Sequence, residues 1–235
     1  MLAVRPRNLS RGSRCLTLVA AVALGGFAAC SDSGEAIDPD EDEEIIDDAI
    51  LTLDDLPDGF EEAEPDDDDD PASESIEDCA DDAGLDPDDI EENRVVESES
   101  IEFTLPSDDI FLSVVASIGS VRDTDPSERL LALFDDDDFQ DCMFDALEES
   151  FADQGQDVSD FDAEVIDAAA DGDASAALRV EAEVSGFDTE IEQHLVLVGR
   201  FGVSVQVVSL NAPIDGDLVE DALDAMIERI EDATA

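Results

Sequence analysis

Residues 177–185, Ala-Leu-Arg-Val-Glu-Ala-Glu-Val-Ser, alternate between apolar and charged side chains. The apolar set is Leu178, Val180, Ala182 and Val184, and the charged set is Arg179, Glu181 and Glu183. A period of two is the pattern of a β-strand that buries one face. We therefore expect the fold to be built around a sheet that contains this strand.

Two further strands are predicted directly after it, over residues 190–200 and 202–210. The connections at Gly186 and at 200–202 are too short to hold a crossover helix. The three strands must therefore run antiparallel. The same reasoning from apolar alternation predicts earlier strands at 94–105, 110–122 and 158–166.

Four helices are predicted from apolar side chains that recur every three or four residues. They cover residues 71–83, 125–134, 139–147 and 217–232. Asp-Pro pairs at 70–71 and 125–126 supply an N-cap and a proline in the first helical turn. The fold class is therefore α+β, an antiparallel sheet with helices packed on one face, in the order α-β-β-α-α-β-β-β-β-α.

The N-terminus has the features of an export signal. Four arginines within residues 1–14 precede an apolar run of 14 residues, Leu16 to Ala29. That run is too short to span a bilayer as a helix, and the combination is typical of a secretory signal peptide. The run ends in Phe27-Ala-Ala-Cys30, which resembles a bacterial lipobox, where the Cys is diacylated before cleavage.

These features divide the chain into three parts. We expect a signal peptide at 1–29, a lipidated Cys30 with an acidic tether at 30–48, and a single α+β sensor-like domain at 49–235. The protein would then lie on the outer face of the cell membrane, anchored by its lipid. The alternative is ordinary cleavage after Ala29, which would leave a soluble secreted protein.

The charge of the chain restricts its partners. It contains 68 Asp and Glu, ten Arg and no Lys, and four of the arginines precede Cys30. The remainder carries six arginines against 68 acids, a formal charge of −62. Such a field repels nucleic acid and attracts Na⁺, Mg²⁺ and Ca²⁺ diffusely. Adaptation to salty surroundings and binding of a specific cationic ligand both account for it, and the spread of acids over the whole chain favours adaptation.

Several segments together resemble a known family. They are Leu53–Phe60, Gly172–Arg179, Leu195–Gly202, Val203–Leu210, the final amphipathic helix and two helical cysteines. This set is similar to actinobacterial lipoproteins that resemble the extracellular sensor domain of mycobacterial Ser/Thr protein kinases. The resemblance implies an extracytoplasmic ligand-sensing or ligand-binding domain with internal disulfides, and it transfers no catalytic residue.

Counting the cysteines leads to one pair. Cys15 would leave with the signal peptide and Cys30 would carry lipid. Cys79 and Cys142 remain, each on the apolar stripe of a predicted helix. In an oxidising compartment such a pair predicts a disulfide, and two buried free thiols are the alternative.

Catalytic and metal-binding patterns are weak. The single histidine, His194, lies in a predicted strand on the face opposite Leu195 and Leu197, as a half-exposed structural residue. The acidic runs at 38–42, 123–125 and 171–173 fail the spacing of an EF-hand calcium loop. We therefore predict no catalytic residue, no cofactor and no dedicated metal site.

The sequence thus predicts a non-catalytic, lipid-anchored binding domain for a ligand or a protein partner. One alternative is a structural or interaction lipoprotein of a salt-adapted bacterium without a small-molecule ligand. A carboxylate-dependent hydrolase is the third. A concave apolar cavity of several hundred Å³ between sheet and helices would favour a ligand, and a filled core with an exposed apolar patch would favour a protein partner.

The lipid anchor can be tested directly. Replacing Cys30 by Ala should leave the precursor uncleaved or release the protein from the membrane fraction, because the acylated thiol is lost. Fractionation and mass spectrometry of the N-terminal peptide give the readout. A wild-type peptide that begins at Cys30 without the mass of a diacylglyceryl group would contradict the prediction.

Overall fold

The computed structural model describes residues 37–63, 71–106, 111–153 and 158–235. Within them, seven strands form one antiparallel sheet in the order β1-β2-β3-β7-β6-β5-β4. The strands are β1 (Glu61–Ala63), β2 (Arg94–Pro106), β3 (Phe111–Val121), β4 (Val158–Ile166), β5 (Ala174–Val184), β6 (Phe187–Val198) and β7 (Phe201–Leu210). The predicted fold class and the predicted antiparallel sheet are therefore confirmed.

Six α-helices accompany the sheet in the described residues. They are α1 (Pro39–Ala49), α2 (Pro71–Asp82), α3 (Pro87–Asn93), α4 (Asp125–Leu133), α5 (Asp137–Asp153) and α6 (Gly216–Thr234), and a 3₁₀ turn covers Leu53–Asp55. Three of the helices begin at a proline, whose fixed φ and missing N–H suit the first helical position. None of the helices in this part of the chain is both long and apolar enough to cross a bilayer.

The helices lie on both faces of the sheet. Val114, Val205 and Val207 lie on one face with α1 and α6, which we call the α1/α6 face. Leu178 and Val180 lie on the other with α4 and α5, the α4/α5 face. The prediction of helices on one face is therefore wrong. The reason is that β6 and β7 carry apolar side chains in both alternating sets, so each face of the sheet needs its own cover.

The predicted element order also needs correction, because it lacks α1, β1 and α3. Strand β1 and helix α3 are short and acidic, so they give little apolar periodicity. In α1 the apolar residues lie in the second half, behind a first half made mostly of acids. Strand β1 is only Glu-Glu-Ala, and α3 buries a single apolar residue, Ile90. The remaining elements follow the predicted sequence.

Helix α1 moves the start of the domain. Residues 39–48 are predicted as part of the acidic tether at 30–48, yet they form a helix that packs on the sheet. Ile46 and Ala49 are buried in the core with α6. Apolar side chains in the second half of the helix therefore outweigh its acidic composition. Residues 30–36, and Cys30 with them, lie outside the described residues.

The predicted disulfide is present. Cys79 of α2 and Cys142 of α5 are joined by a bond; their Cα atoms are 5.9 Å apart, and the two residues are 63 positions apart in sequence. The bond links α2 to the helices that cover the α4/α5 face. Closing a loop of this length stabilises a fold by about 4 kcal/mol in the chain-entropy account.

Removing the disulfide should therefore lower the free energy of unfolding by up to about 4 kcal/mol. The variant is Cys79→Ala with Cys142→Ala, which leaves no free thiol, and urea unfolding under oxidising conditions is the measurement. Reductant should bring the wild-type protein to the same midpoint and leave the double variant unchanged. A wild-type midpoint that does not respond to reductant would contradict the prediction.

Candidate functional site

A pocket of about 430 Å³ opens at the end of the sheet where the β5–β6 hairpin turns and β7 finishes. Five carboxyl side chains line it. They are Asp160, Glu181, Glu183, Asp188 and Glu190. Asn211 to Pro213, which follow β7, form one wall. The pocket is therefore a strongly anionic recess. It differs from the apolar cavity that the sequence analysis gives as the sign of a small-molecule ligand.

Strand alternation brings four of these carboxylates together. Glu181 lies directly opposite Glu190, and Glu183 lies directly opposite Asp188. Directly opposed residues in an antiparallel pair project on the same face with their Cβ atoms about 5 Å apart. Like charges in such pairs destabilise a sheet, so this hairpin carries a local electrostatic penalty when the pocket is empty.

Two residues with left-handed backbone shape the rim. Asp160 has a φ of 53° at an irregularity in the pairing of β4 with β5, and Asn211 has a φ of 60° just after β7. Asn and Asp tolerate this conformation better than other non-glycine residues. The N–H of Asn211 donates to the carbonyl oxygen of Asp188 at 2.7 Å, which fixes the wall against the hairpin.

A group of one arginine and three glutamates, which we call the arginine cluster, adjoins the pocket on the same face of the sheet. The Nε of Arg179 donates to Glu192 Oε1 at 2.8 Å and lies 3.5 Å from Glu190 Oε1. Its Nη1 donates to Glu164 Oε1 at 3.3 Å. The other carboxylate oxygen of Glu190 accepts the N–H of Ile214 at 3.1 Å. Glu190 therefore joins the arginine cluster to the loop that walls the pocket.

His194 completes this cluster. Its Nδ1 accepts the N–H of Ala169 at 3.2 Å, so a proton on the neutral ring belongs on Nε2, which lies 3.4 Å from Glu192 Oε2. The ring is 2% exposed. The predicted half-exposed position is therefore wrong, because the 169–170 segment and α6 cover this face. The predicted side of the strand is confirmed.

The contacts of Glu192 keep it ionised. Its hydrogen bond with His194 is the largest influence on its pKa and lowers it, burial opposes that effect, and Arg179 lowers it further. The bond to Glu192 likewise raises the pKa of Arg179. A glycosidase-type general acid needs a carboxyl group whose pKa is raised. The pKa of Glu192 is shifted in the opposite direction. Glu192 therefore suits the role of an ionised acceptor that holds Arg179 in place.

The described residues hold no group of three or more His, Cys, Asp or Glu side chains arranged to bind a metal ion. The carboxylates of the pocket instead belong to three strands, β4, β5 and β6. Such an arrangement can accept several hydrogen bonds from a larger cationic molecule. The disulfide lies away from it, since Cys79 and Cys142 belong to the core of the α4/α5 face.

The sequence reasoning missed this cluster. It placed Arg179 on the outward face but could not pair it, because the register between β5 and β6 sets its neighbour as Glu192. A usable signal existed. Glu190 and Glu192 are two positions apart in a predicted strand, and Arg179 lies at the matching distance from the Gly186 turn. Counting residues outward from that turn along both strands places Arg179 opposite Glu192.

Comparison with known proteins adds nothing to this geometry: no family model matches the chain, and no curated protein matches it. The resemblance to actinobacterial lipoproteins therefore stays a prediction.

Glu192→Gln should destabilise the fold by about 2 kcal/mol at pH 7, because a buried charge partner of Arg179 is removed. Glu192 has a lowered pKa in the folded state. Its ionised form therefore stabilises the fold above its unfolded pKa of about 4.3, and the stabilisation is lost as the pH falls through the lowered value. Denaturant unfolding at pH 7 and at about pH 3 should show the variant's penalty shrinking in acid.

Glu164→Gln is the matched control. Glu164 contacts the same arginine, but its side chain is 56% exposed. Its replacement should change stability by less than about 0.5 kcal/mol at either pH. An equal effect of the two substitutions, or a Glu192→Gln penalty that is the same at both pH values, would contradict the assigned role of Glu192.

Proposed function

We propose that this protein is an exported, lipid-anchored binding domain that holds a small organic cation outside the membrane without transforming it. The pocket at the β5–β6 hairpin is the binding site. The ligand carries two or more amino or guanidino groups. The domain has the ligand-sensing role that the sequence resemblance implies.

The observation that carries this proposal is that five carboxylates line the pocket of about 430 Å³. Two opposed pairs, Glu181–Glu190 and Glu183–Asp188, keep like charges close together. A bound cation would relieve their repulsion and would itself gain charge-assisted hydrogen bonds. Binding to the folded state alone would then stabilise the protein by mass action.

The shape of the site favours an organic cation over a metal ion. The carboxylates of the pocket come from β4, β5 and β6, and the described residues contain no cluster close enough to coordinate a metal. Calcium and magnesium are each surrounded by six or more oxygen ligands, at metal–oxygen distances of roughly 2.0–2.6 Å. A molecule with spaced ammonium groups instead fits two pairs of carboxylates that stand side by side along one face of a hairpin.

Two features support export. The first is the basic and apolar N-terminus that ends in Phe27-Ala-Ala-Cys30. The second is the disulfide between Cys79 and Cys142. Disulfides form and persist in oxidising compartments and are rare in the cytosol. Both features fit a domain held on the outer face of the cell membrane.

Spermidine is a suitable probe, titrated calorimetrically in about 1 M NaCl. At that ionic strength the Debye length is about 3 Å, so diffuse attraction to the net charge is screened. We expect one saturable site. The double variant Glu181→Gln with Asp188→Asn should weaken it by on the order of tenfold or more, because two charged contacts are removed.

Glu220→Gln with Asp221→Asn is the matched control. Both residues are exposed on α6, neither lines the pocket, and the change in net charge is the same. This variant should bind spermidine like the wild type. Equal weakening by both double variants would mean that only the overall charge attracts cations. That outcome would favour a structural lipoprotein without a small-molecule ligand.

A further inference from the structure

The first turn of α1 lies at the end of the sheet where β6 turns into β7. Asp42 is fully buried, accepts a hydrogen bond from the Oγ of Ser120 at 2.8 Å, and pairs with the guanidinium of Arg200. Ser120 lies next to the last residue of β3, paired with Phe201, and Arg200 belongs to the β6–β7 turn. The chain therefore enters the domain at this end, which we call the Arg200 end.

The acidic pocket lies at the opposite end of the same strands. Strand β7 begins at Phe201 beside Arg200 and finishes at Leu210, next to the pocket wall. Ten residues of strand at about 3.3 Å each give a separation of roughly 30 Å. The two ends of the sheet are thus separated by nearly the full length of its central strands.

The chain between the proposed lipid and α1 is short. Nine positions separate Cys30 from Pro39. Even fully extended, a chain of this length reaches at most about 30 Å. The Arg200 end must therefore stay within that distance of the membrane surface, whereas nothing ties the pocket end to it.

We infer that the anchor at Cys30 holds the Arg200 end toward the membrane and turns the acidic pocket away from it. This inference rests on the proposed lipid anchor. The pocket would then take its cationic ligand from the surrounding medium and not from a protein or lipid in the same membrane.

The orientation can be measured by energy transfer from a protein label to acceptor lipids in vesicles. Asp171→Cys and Asp188→Cys are a matched pair, because both residues are exposed aspartates. Asp171 marks the Arg200 end: the neighbouring Asp173 N–H donates to the Leu197 carbonyl oxygen at 2.8 Å, and a Cβ on Gly172 would meet that oxygen at 2.5 Å. Asp188 lines the pocket.

With the full lipid-modified protein in vesicles, we expect transfer from the Asp171→Cys label to exceed transfer from the Asp188→Cys label several-fold. Insertion of about 20 Gly and Ser residues between positions 30 and 39 should narrow the difference, since the inserted coil alone averages about 22–27 Å between its ends. Unchanged circular dichroism would confirm that each labelled variant is folded.

The outcomes separate the inference from the function on which it rests. Equal transfer from both labels, or greater transfer from Asp188→Cys, in protein that floats with the vesicles would overturn the orientation and leave the anchor intact. Wild-type protein that does not float would overturn the anchor and the orientation together. Spermidine binding by the detached domain is independent of either result, so loss of binding bears only on the pocket.

Discussion

Positive charge is scarce in this protein, and the contacts of its arginines hold the fold together. After residue 29 the chain has six arginines against 68 carboxyl groups. Three arginines lie at junctions between elements: Arg179 links β4, β5 and β6, Arg200 holds α1 on the sheet, and Arg229 of α6 contacts Asp55 and the Ile50 carbonyl oxygen. The self-repulsion of so many carboxylates favours an expanded chain. Each arginine therefore stabilises the fold most where it joins segments that are distant in sequence.

The acids themselves contribute at helix N-termini. Asp38, Asp86 and Asp215 each accept a hydrogen bond from a backbone N–H two residues later, and Asp136 accepts from two such groups. A carboxylate at this position satisfies an unpaired donor and interacts favourably with the helix dipole. The C-termini of the helices have no basic residue in the last turn to match. Arginines from other elements partly replace them. The Nη1 of Arg229 donates to the carbonyl oxygen of Ile50, the C-cap of α1, at 3.1 Å, and the Nη2 of Arg129 donates to the Gly84 carbonyl oxygen beyond α2 at 2.9 Å.

The sequence predicts structure well where the pattern is local. It predicts much less where the register between strands decides which side chains meet. Asp-Pro pairs predict helix starts at 70–71 and 125–126, and the same pair at 38–39 and 86–87 begins α1 and α3, which apolar periodicity alone does not reveal. The alternation in β5 predicts which side chains share a face. It does not predict that Arg179 meets Glu192 or that His194 is buried, because those facts depend on strand pairing and on α6, which is distant in sequence. The pocket depends on the same pairing.

The placement of arginines gives the sheet two electrically different ends. At the Arg200 end, a buried carboxylate is matched by a guanidinium and a hydroxyl group. At the pocket end, two pairs of carboxylates face each other directly, and Arg179 contacts Glu190 only at the inner edge. Repulsion between carboxylates therefore concentrates where the chain leaves them opposed. A cation that entered from solution would gain attraction from several carboxylates at once there, whereas at the other end it would have to displace an arginine that is already bound. The same imbalance that costs the hairpin stability thus makes it the part of the domain whose stability responds most to a bound cation.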